Sequence, residues 1–252
     1  MMFGTEFDGQ HSHRDYGFRV IDRQIGLPDK IKVLERIPHS NRVFDYSTIY
    51  GGQEYTERQL TYTYRYFDTD KIELDRAMTA FVNHLCRPSS QVILRDDHMP
   101  GLYFRAEVRN GPLDIEKRFS KEITVTYTAY PFRIFDNHGG GNDIWDDFNF
   151  LTDSFQETEF VINSPNWTQW QEIRLNNPSI ATIRPTLRLL SGSVRLVRTR
   201  NDRSPLSGGI TEDIALALGD NANHNILLFP GDNVIWAQGM GSVKIEWFNE
   251  VI

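Results

Sequence analysis

The stretch Leu60-Thr-Tyr-Thr-Tyr-Arg-Tyr66, entered from Tyr50-Gly-Gly-Gln-Glu-Tyr-Thr-Glu-Arg-Gln59, decides the fold. Leu60, Tyr62, Tyr64 and Tyr66 alternate with Thr61, Thr63 and Arg65, a period of two that puts the rings on one face and the polar groups on the other. That is the pattern of a strand with one covered face. The rival reading makes Gly51-Gly52 a catalytic loop with Glu54 and Glu57 as the carboxylate pair that glycoside hydrolysis uses. Extended geometry turns those two side chains to opposite faces, so a packed strand is the stronger reading.

Working outward, Ile123-Thr-Val-Thr-Tyr-Thr-Ala129 repeats the alternation and predicts a neighbour in the same sheet, with Leu102-Tyr-Phe-Arg-Ala-Glu-Val108 as a third strand. Between them, Asp70 and Glu73 have capping-box spacing. Leu74, Ala77, Met78, Phe81, Val82 and Leu85 form a helical stripe that Pro88 ends. The simplest assembly lays this helix on the sheet, with its Met and aromatic residues as core.

Asp136-Asn-His-Gly-Gly-Gly-Asn-Asp143 reads as a linker, because three consecutive glycines have no side chain to bury. It divides a first domain, residues 1–135, from a second, residues 144–252. The charges divide there too: the first 135 residues carry 19 basic and 19 acidic side chains, the rest 8 and 15. No basic nucleic-acid footprint is present. In the second half, Gln171–Leu175, Leu187–Leu190, Val194–Arg198, Asn225–Phe229, Val234–Trp236 and Ser242–Trp247 read as short strands. Turns are expected at Ser191-Gly-Ser193 and Pro230-Gly-Asp-Asn233, and Ile214–Leu218 reads equally as strand or helical turn. Many short strands with regular turns predict a β-sandwich or jelly-roll, and the whole chain reads as mainly β.

The chain has 252 residues, 39% hydrophobic and 24% charged, enough for an ordered core. No apolar run is long enough for a membrane helix, and the N-terminus lacks the pattern of a signal peptide. The single cysteine, Cys86, lies in the predicted helix and reads as a partly buried structural thiol, which fits folding in a reducing cytoplasm.

The search for chemistry yields little. His11-Ser-His13 and Asp96-Asp-His98 hold metal-ligating types without a clustered set, so surface histidines and a solvated acidic turn are the stronger reading. Asp143, Asp146 and Asp147 around Trp145 have the composition of a sugar platform, against a packed Trp with solvated carboxylates. Phosphate-loop, nucleophile-elbow and zinc-helix motifs are missing, and no catalytic residue, metal or cofactor is assigned. Arg188, Arg195 and Arg198 form a candidate stripe for an acidic partner, weighed equally against a solvated face.

Asp22-Arg-Gln-Ile-Gly-Leu-Pro-Asp-Lys30, Arg36-Ile-Pro-His-Ser40 and Ile49-Tyr-Gly-Gly-Gln-Glu-Tyr-Thr-Glu-Arg58 run into the aromatic strand. With Pro100-Gly-Leu-Tyr-Phe-Arg-Ala-Glu107 and Val125-Thr-Tyr-Thr-Ala-Tyr-Pro-Phe132, they resemble the distal tail proteins of siphophages, especially of lactococcal type. The resemblance covers the first domain, and the second resembles the galectin-like β-sandwich that follows in that family. It implies a structural virion protein of the tail tip, made in the host cytoplasm. Its first domains would form a homohexameric ring around a channel for DNA, joined to the tail tube protein and the tail-tip protein. The second domains would hold baseplate or receptor-binding components for host attachment. A first domain without net positive charge suits DNA passage, since many phosphate contacts would retain the genome. Glu57 and Arg58 are candidates for the contact between copies, or for a local pair. The alternative is a galectin-like module recognising host saccharide; a wall hydrolase is a third reading with no catalytic pair.

Overall fold

The structure, a computed structural model, describes residues 4–48, 52–109, 111–117, 120–138, 156–166, 169–200 and 204–252. The chain is mainly β and divides into two compact units, the first built chiefly from residues up to 49 and Gln53–Asp136, the second from Asn137–Val251.

Strands of the first unit are β1 (Thr5–Phe7), β2 (Gln10–His11), β3 (Arg19–Ile25), β4 (Leu34–Arg36), β5 (Val43–Asp45), β6 (Arg58–Phe67), β7 (Val92–Asp96), β8 (Leu102–Val108), β9 (Leu113–Lys117), β10 (Ser120–Ala129) and β11 (Arg133–His138), with the helix α1 (Lys71–Cys86) after β6. The sheet runs β2-β1-β7-β8-β10-β6-β3, and β11 also pairs with β8. The aromatic strand β6 pairs antiparallel with β10, Tyr64 opposite Ile123 and Tyr62 opposite Val125. Leu60, Tyr62 and Tyr64 are buried together with Ile123, Val125 and Tyr127. On the other face, Thr63 meets Thr124 at 3.2 Å and the Arg65 Nε donates to Glu122 at 2.6 Å. Alternation therefore fixed both faces of this pair as read.

Asp70 caps α1 by accepting from the Ile72 N–H at 2.9 Å, and Leu74, Met78, Phe81 and Leu85 face the sheet. Phe81 stacks on Phe18 at 4.6 Å and meets Tyr64 edge-on at 5.2 Å. The buried hydroxyls are satisfied in a chain. Tyr64 lies 2.8 Å from the Thr5 hydroxyl and 3.0 Å from that of Tyr127, and Tyr62 donates to Asp96 at 3.1 Å.

The second unit comprises β12 (Glu159–Ser164), β13 (Gln171–Asn177), β14 (Thr186–Thr199), β15 (Ile210–Ala215), β16 (Gly219–Asn221), β17 (Gly231–Glu246) and β18 (Phe248–Val251). Its frame is one long antiparallel ribbon, β14 against β17, from Thr186 opposite Glu246 to Val197 opposite Trp236. The far edge of β17 takes β13 along Gly231–Ala237 and β12 along Gly239–Lys244. The far edge of β14 takes β16 at one end and β15 at the other.

Near its middle the ribbon bends. Gly192 and Gly239 have φ of +79° and +120°, and a Cβ on either would collide with the carbonyl oxygen of Met240 or Ser193 across the ribbon. At the same place β14 carries a bulge between Leu189 and Ser191, so Leu190 is an extra residue and the inward parity switches. Leu187 and Leu189 before the bulge, and Val194 and Leu196 after it, all enter one core with Ile235, Ala237, Val243 and Ile245.

The second unit departs from its sequence pattern in three places. Ser191-Gly-Ser193 is a bulged bend within one strand, because both sides stay paired to β17. Val234–Trp236 and Ser242–Trp247 are parts of the same β17 up to Glu246. Asn225–Phe229 is no strand: it has one isolated bridge, Leu228 to Ile183. The ambiguous Ile214–Leu218 ends β15 at Ala215. Of the expected linker, residues 139–143 lie outside the described residues, as do Trp145, Asp146 and Asp147.

Candidate assembly surface

One surface of the first unit leaves no mark in the sequence pattern. After β3 the chain leaves the sheet and returns as β6, and between them, among the described residues, β4 and β5 pair only with each other. This arm has a paired base: Ile31 N donates to Glu54 O at 2.9 Å and Thr56 N to Asp29 O at 2.8 Å. Further out, Tyr46 N donates to Val33 O at 2.9 Å, and Lys32 pairs with Asp45 at 2.8 Å.

The arm's faces follow from register. Leu34 and Arg36 share one face with Val43 and Asp45, while Val33 and Glu35 share the other with Phe44 and Tyr46. Both faces carry exposed apolar side chains beside charged ones: Leu34 is 58% accessible, Val33 55% and Phe44 44%. A lone two-stranded hairpin is at best marginal in water, and large apolar side chains exposed together mark an interaction surface.

Glu57 and Arg58, adjacent in sequence, part company. Glu57 is exposed and accepts both terminal nitrogens of Arg109, at 2.8 and 3.0 Å. Arg58 is buried. Its Nε donates to Gly26 O at 2.8 Å, its Nη1 to Pro131 O at 3.1 Å, and its guanidinium lies 5.4 Å from the Phe104 ring centre. Arg58 thus offers no side chain to a surface contact, because its donors serve the interior.

The arginine stripe also divides. Arg188 chelates Asp220 and Arg195 chelates Asp213, the second with an Nε to Oδ1 distance of 2.8 Å. Both aspartates are held below the ordinary carboxylate range, chiefly by these hydrogen bonds. Arg198 points the other way, into the interior. It donates to Asn233 at 3.1 Å and stacks 4.3 Å over Phe229, while Asn233 organises the Phe229–Gly231 turn. The three do not form one exposed stripe.

The remaining candidates resolve similarly. The structure joins His11 to Asp97 at 3.1 Å, and Asp97 also accepts the Gly4 N–H. Asp96 is buried against Arg23 and Tyr62. Among the described residues, no three His, Cys, Asp or Glu side chains cluster as metal ligands. Burial pushes the Tyr62, Tyr64 and Tyr127 hydroxyls well above the phenol range, so they pack rather than exchange protons near neutral pH. Cys86 is exposed at the end of α1, not partly buried as its helical position suggested. Among the described residues no helix is long and apolar enough to cross a membrane. Trp170 lines an open groove of about 440 Å³ with Asn163, Gln169 and Gln171, but the Arg195 guanidinium sits 5.7 Å over its ring and occupies a face that a sugar would stack on.

No protein-family model and no curated protein matches the sequence. Among solved structures, the chain is similar to the Dit protein of phage SPP1, described as a paradigm of the hub adsorption apparatus in phages infecting Gram-positive bacteria. The match has a TM-score of 0.63 at 12% identity and covers 98% of this chain and 99% of that one. A chain of the phage P2 baseplate in its activated conformation matches at 0.43 and 10%, over 99% and 98% of the two chains. The fold is therefore that of the SPP1 protein.

Proposed function

We propose that this chain is a structural hub protein of a phage tail tip, a distal tail protein of the siphophage type, and that it works by assembling rather than by catalysing. The observation that carries this is the arm: a hairpin with exposed apolar side chains on both faces, in a chain that shares the fold of a phage hub protein. Such an arm gains stability only when another surface covers it. The partner we assign is a second copy. An arm that grips a different surface on its neighbour makes a heterologous contact, and identical heterologous contacts that close make a ring.

In this reading six copies form the ring through their first units, around a channel that passes DNA, between tail tube protein and tail-tip protein. The second units carry baseplate or receptor-binding components at the virion tail tip. Saccharide recognition has weaker support, since the Trp170 platform is partly taken by Arg195.

The test is absolute mass by light scattering behind a sizing column, across concentration and salt, for the whole chain and for a variant with residues 33–46 replaced by a short Gly-Ser link. The expected result is a hexamer, or a concentration-dependent approach to one, that the variant loses while its unfolding transition stays. A strict monomer at high concentration, or a hexamer indifferent to the arm, overturns the reading.

A further inference from the structure

The arm leaves the sheet beside a buried cation. β3 ends at Ile25, and Gly26 donates its N–H to Gln59 O at 2.8 Å; a Cβ on Gly26 would stand 2.6 Å from that oxygen, so the close approach needs glycine. Arg58 lies next to Gln59, 1% exposed, and among the described residues it pairs with no carboxylate. Burial and the neighbouring Arg133 cation push its guanidinium down to about 10. A buried cation without a counter-ion is unfavourable, so its retention calls for a specific gain.

The gain is visible in what its two donors hold. Gly26 O directly follows β3, where the chain leaves the sheet, three residues before the Asp29 that opens the arm's paired base. Pro131 O belongs to the turn carrying Phe132, against which Tyr55 of the returning strand packs edge-on at 5.2 Å. The base hydrogen bonds between Asp29 or Ile31 and Glu54 or Thr56 join the arm's two strands to each other. Arg58 ties the point where the chain leaves β3, and the seat of the returning strand, to the sheet. Lysine has one nitrogen in place of the planar fork and cannot span both carbonyls in the same geometry.

We propose that Arg58 is a positioning residue that fixes the direction in which the arm leaves the first unit, and so sets the geometry in which copies assemble. This rests on the arm reading above, and its test is arranged to separate the two. Spin labels go on the exposed native Cys86 and on Ser40→Cys at the arm tip, both in the first unit, and electron-spin distance distributions are recorded with the Phe44→Asp change added to keep copies apart. With Arg58 present the distribution is expected to be narrow. Arg58→Met and Arg58→Lys are each expected to broaden it at least twofold while leaving the circular dichroism spectrum and a single cooperative melt intact.

Without the Phe44→Asp change, the same two variants are expected to weaken self-association at least tenfold. An equally narrow distribution in both overturns the proposal, as does loss of the folded state in both, which would make Arg58 a residue of the core alone. A wild-type chain that never associates removes the assembly reading, while the distance widths still decide whether Arg58 aims the arm.

Discussion

The molecule contains two antiparallel ribbons with opposite fates. β14 and β17 fold back on themselves through Gly192, Gly239 and the Leu190 bulge, and so bury one face in a core of their own. β4 and β5 are short, carry no bend, and leave Val33, Leu34, Val43 and Phe44 in solvent. Pairing of backbones is common to both, so it does not explain the difference. What separates them is whether the apolar face finds cover within the same chain.

The largest expected effect comes from stopping the long ribbon from bending. Gly239→Val places a branched side chain at φ +120° against the Ser193 carbonyl. Strain and collision together predict a loss of roughly 2–6 kcal/mol. Urea unfolding followed by circular dichroism measures it; a loss under about 1 kcal/mol means that the bend does not hold the second unit together.

Equal truncations in the two ribbons come next. Leu196→Ala, in the buried core, is expected to lose about 2–5 kcal/mol, and Leu34→Ala, on the arm, no more than about 0.5 in the dissociated chain. The order reverses for self-association, where Leu34→Ala is the damaging change. Comparable losses of monomer stability at both sites would mean that the arm packs on its own unit.

These ribbons also show what a sequence can reveal. β6 and β10 were legible because each has one dry face and one wet face, so alternation survives in Leu60–Tyr66 and Ile123–Ala129. The bulge at Leu190 was not, since one inserted residue reverses the meaning of odd and even. Without it Arg188 and Arg198 share a parity and group together; with it Arg188 and Arg195 face out and Arg198 faces in. The arm was illegible for another reason. Val33-Leu34 places apolar residues on both faces, and a single-chain reading looks for only one covered face. A buried arginine next to an exposed glutamate, as at Arg58 and Glu57, also leaves no pattern, because its partners are carbonyls that any sequence supplies.

The switch of parity at Leu190 predicts an asymmetry among arginines. Arg198→Ala removes a donor to buried Asn233 and the stack on Phe229, and is expected to lose roughly 1.5–3 kcal/mol. Arg188→Ala, on the open face, is expected to leave the urea midpoint where it is. Equal effects would mean that the bulge does not sort these side chains as described.

A smaller effect comes from His224, buried in the second unit with its Nε2 donating to Pro185 O at 2.9 Å. Burial, helped by the Arg184 cation and opposed by hydrogen bonds to the backbone at Pro185 and Ile226 and by Glu212, lowers its folded pKa from 6.5. The unfolded chain therefore binds the proton more readily. The stability is whole above about pH 6.5 and declines as pH falls from there toward the depressed folded value. His224→Gln is expected to flatten that slope in pH-resolved melts, and an unchanged slope assigns the acid sensitivity elsewhere.

The smallest effect belongs to the outward pair Arg195 and Asp213. Both side chains are more than a third exposed, so a double-mutant cycle is expected to give only about 0.2–1 kcal/mol, shrinking with added salt. Arg195 holds the Asp213 carboxyl below its ordinary 3.8, so the contribution is present above that value and fades as pH drops through the lowered one. The weakness matters for any acidic partner of this face. To meet a partner's carboxylate Arg195 must first leave Asp213, and a bond worth so little permits the exchange. Asp213→Asn should then tighten binding of an acidic probe such as polyglutamate and steepen its salt dependence. An unchanged affinity would mean that the arginine is held by its 5.7 Å stack on Trp170 and serves the fold alone.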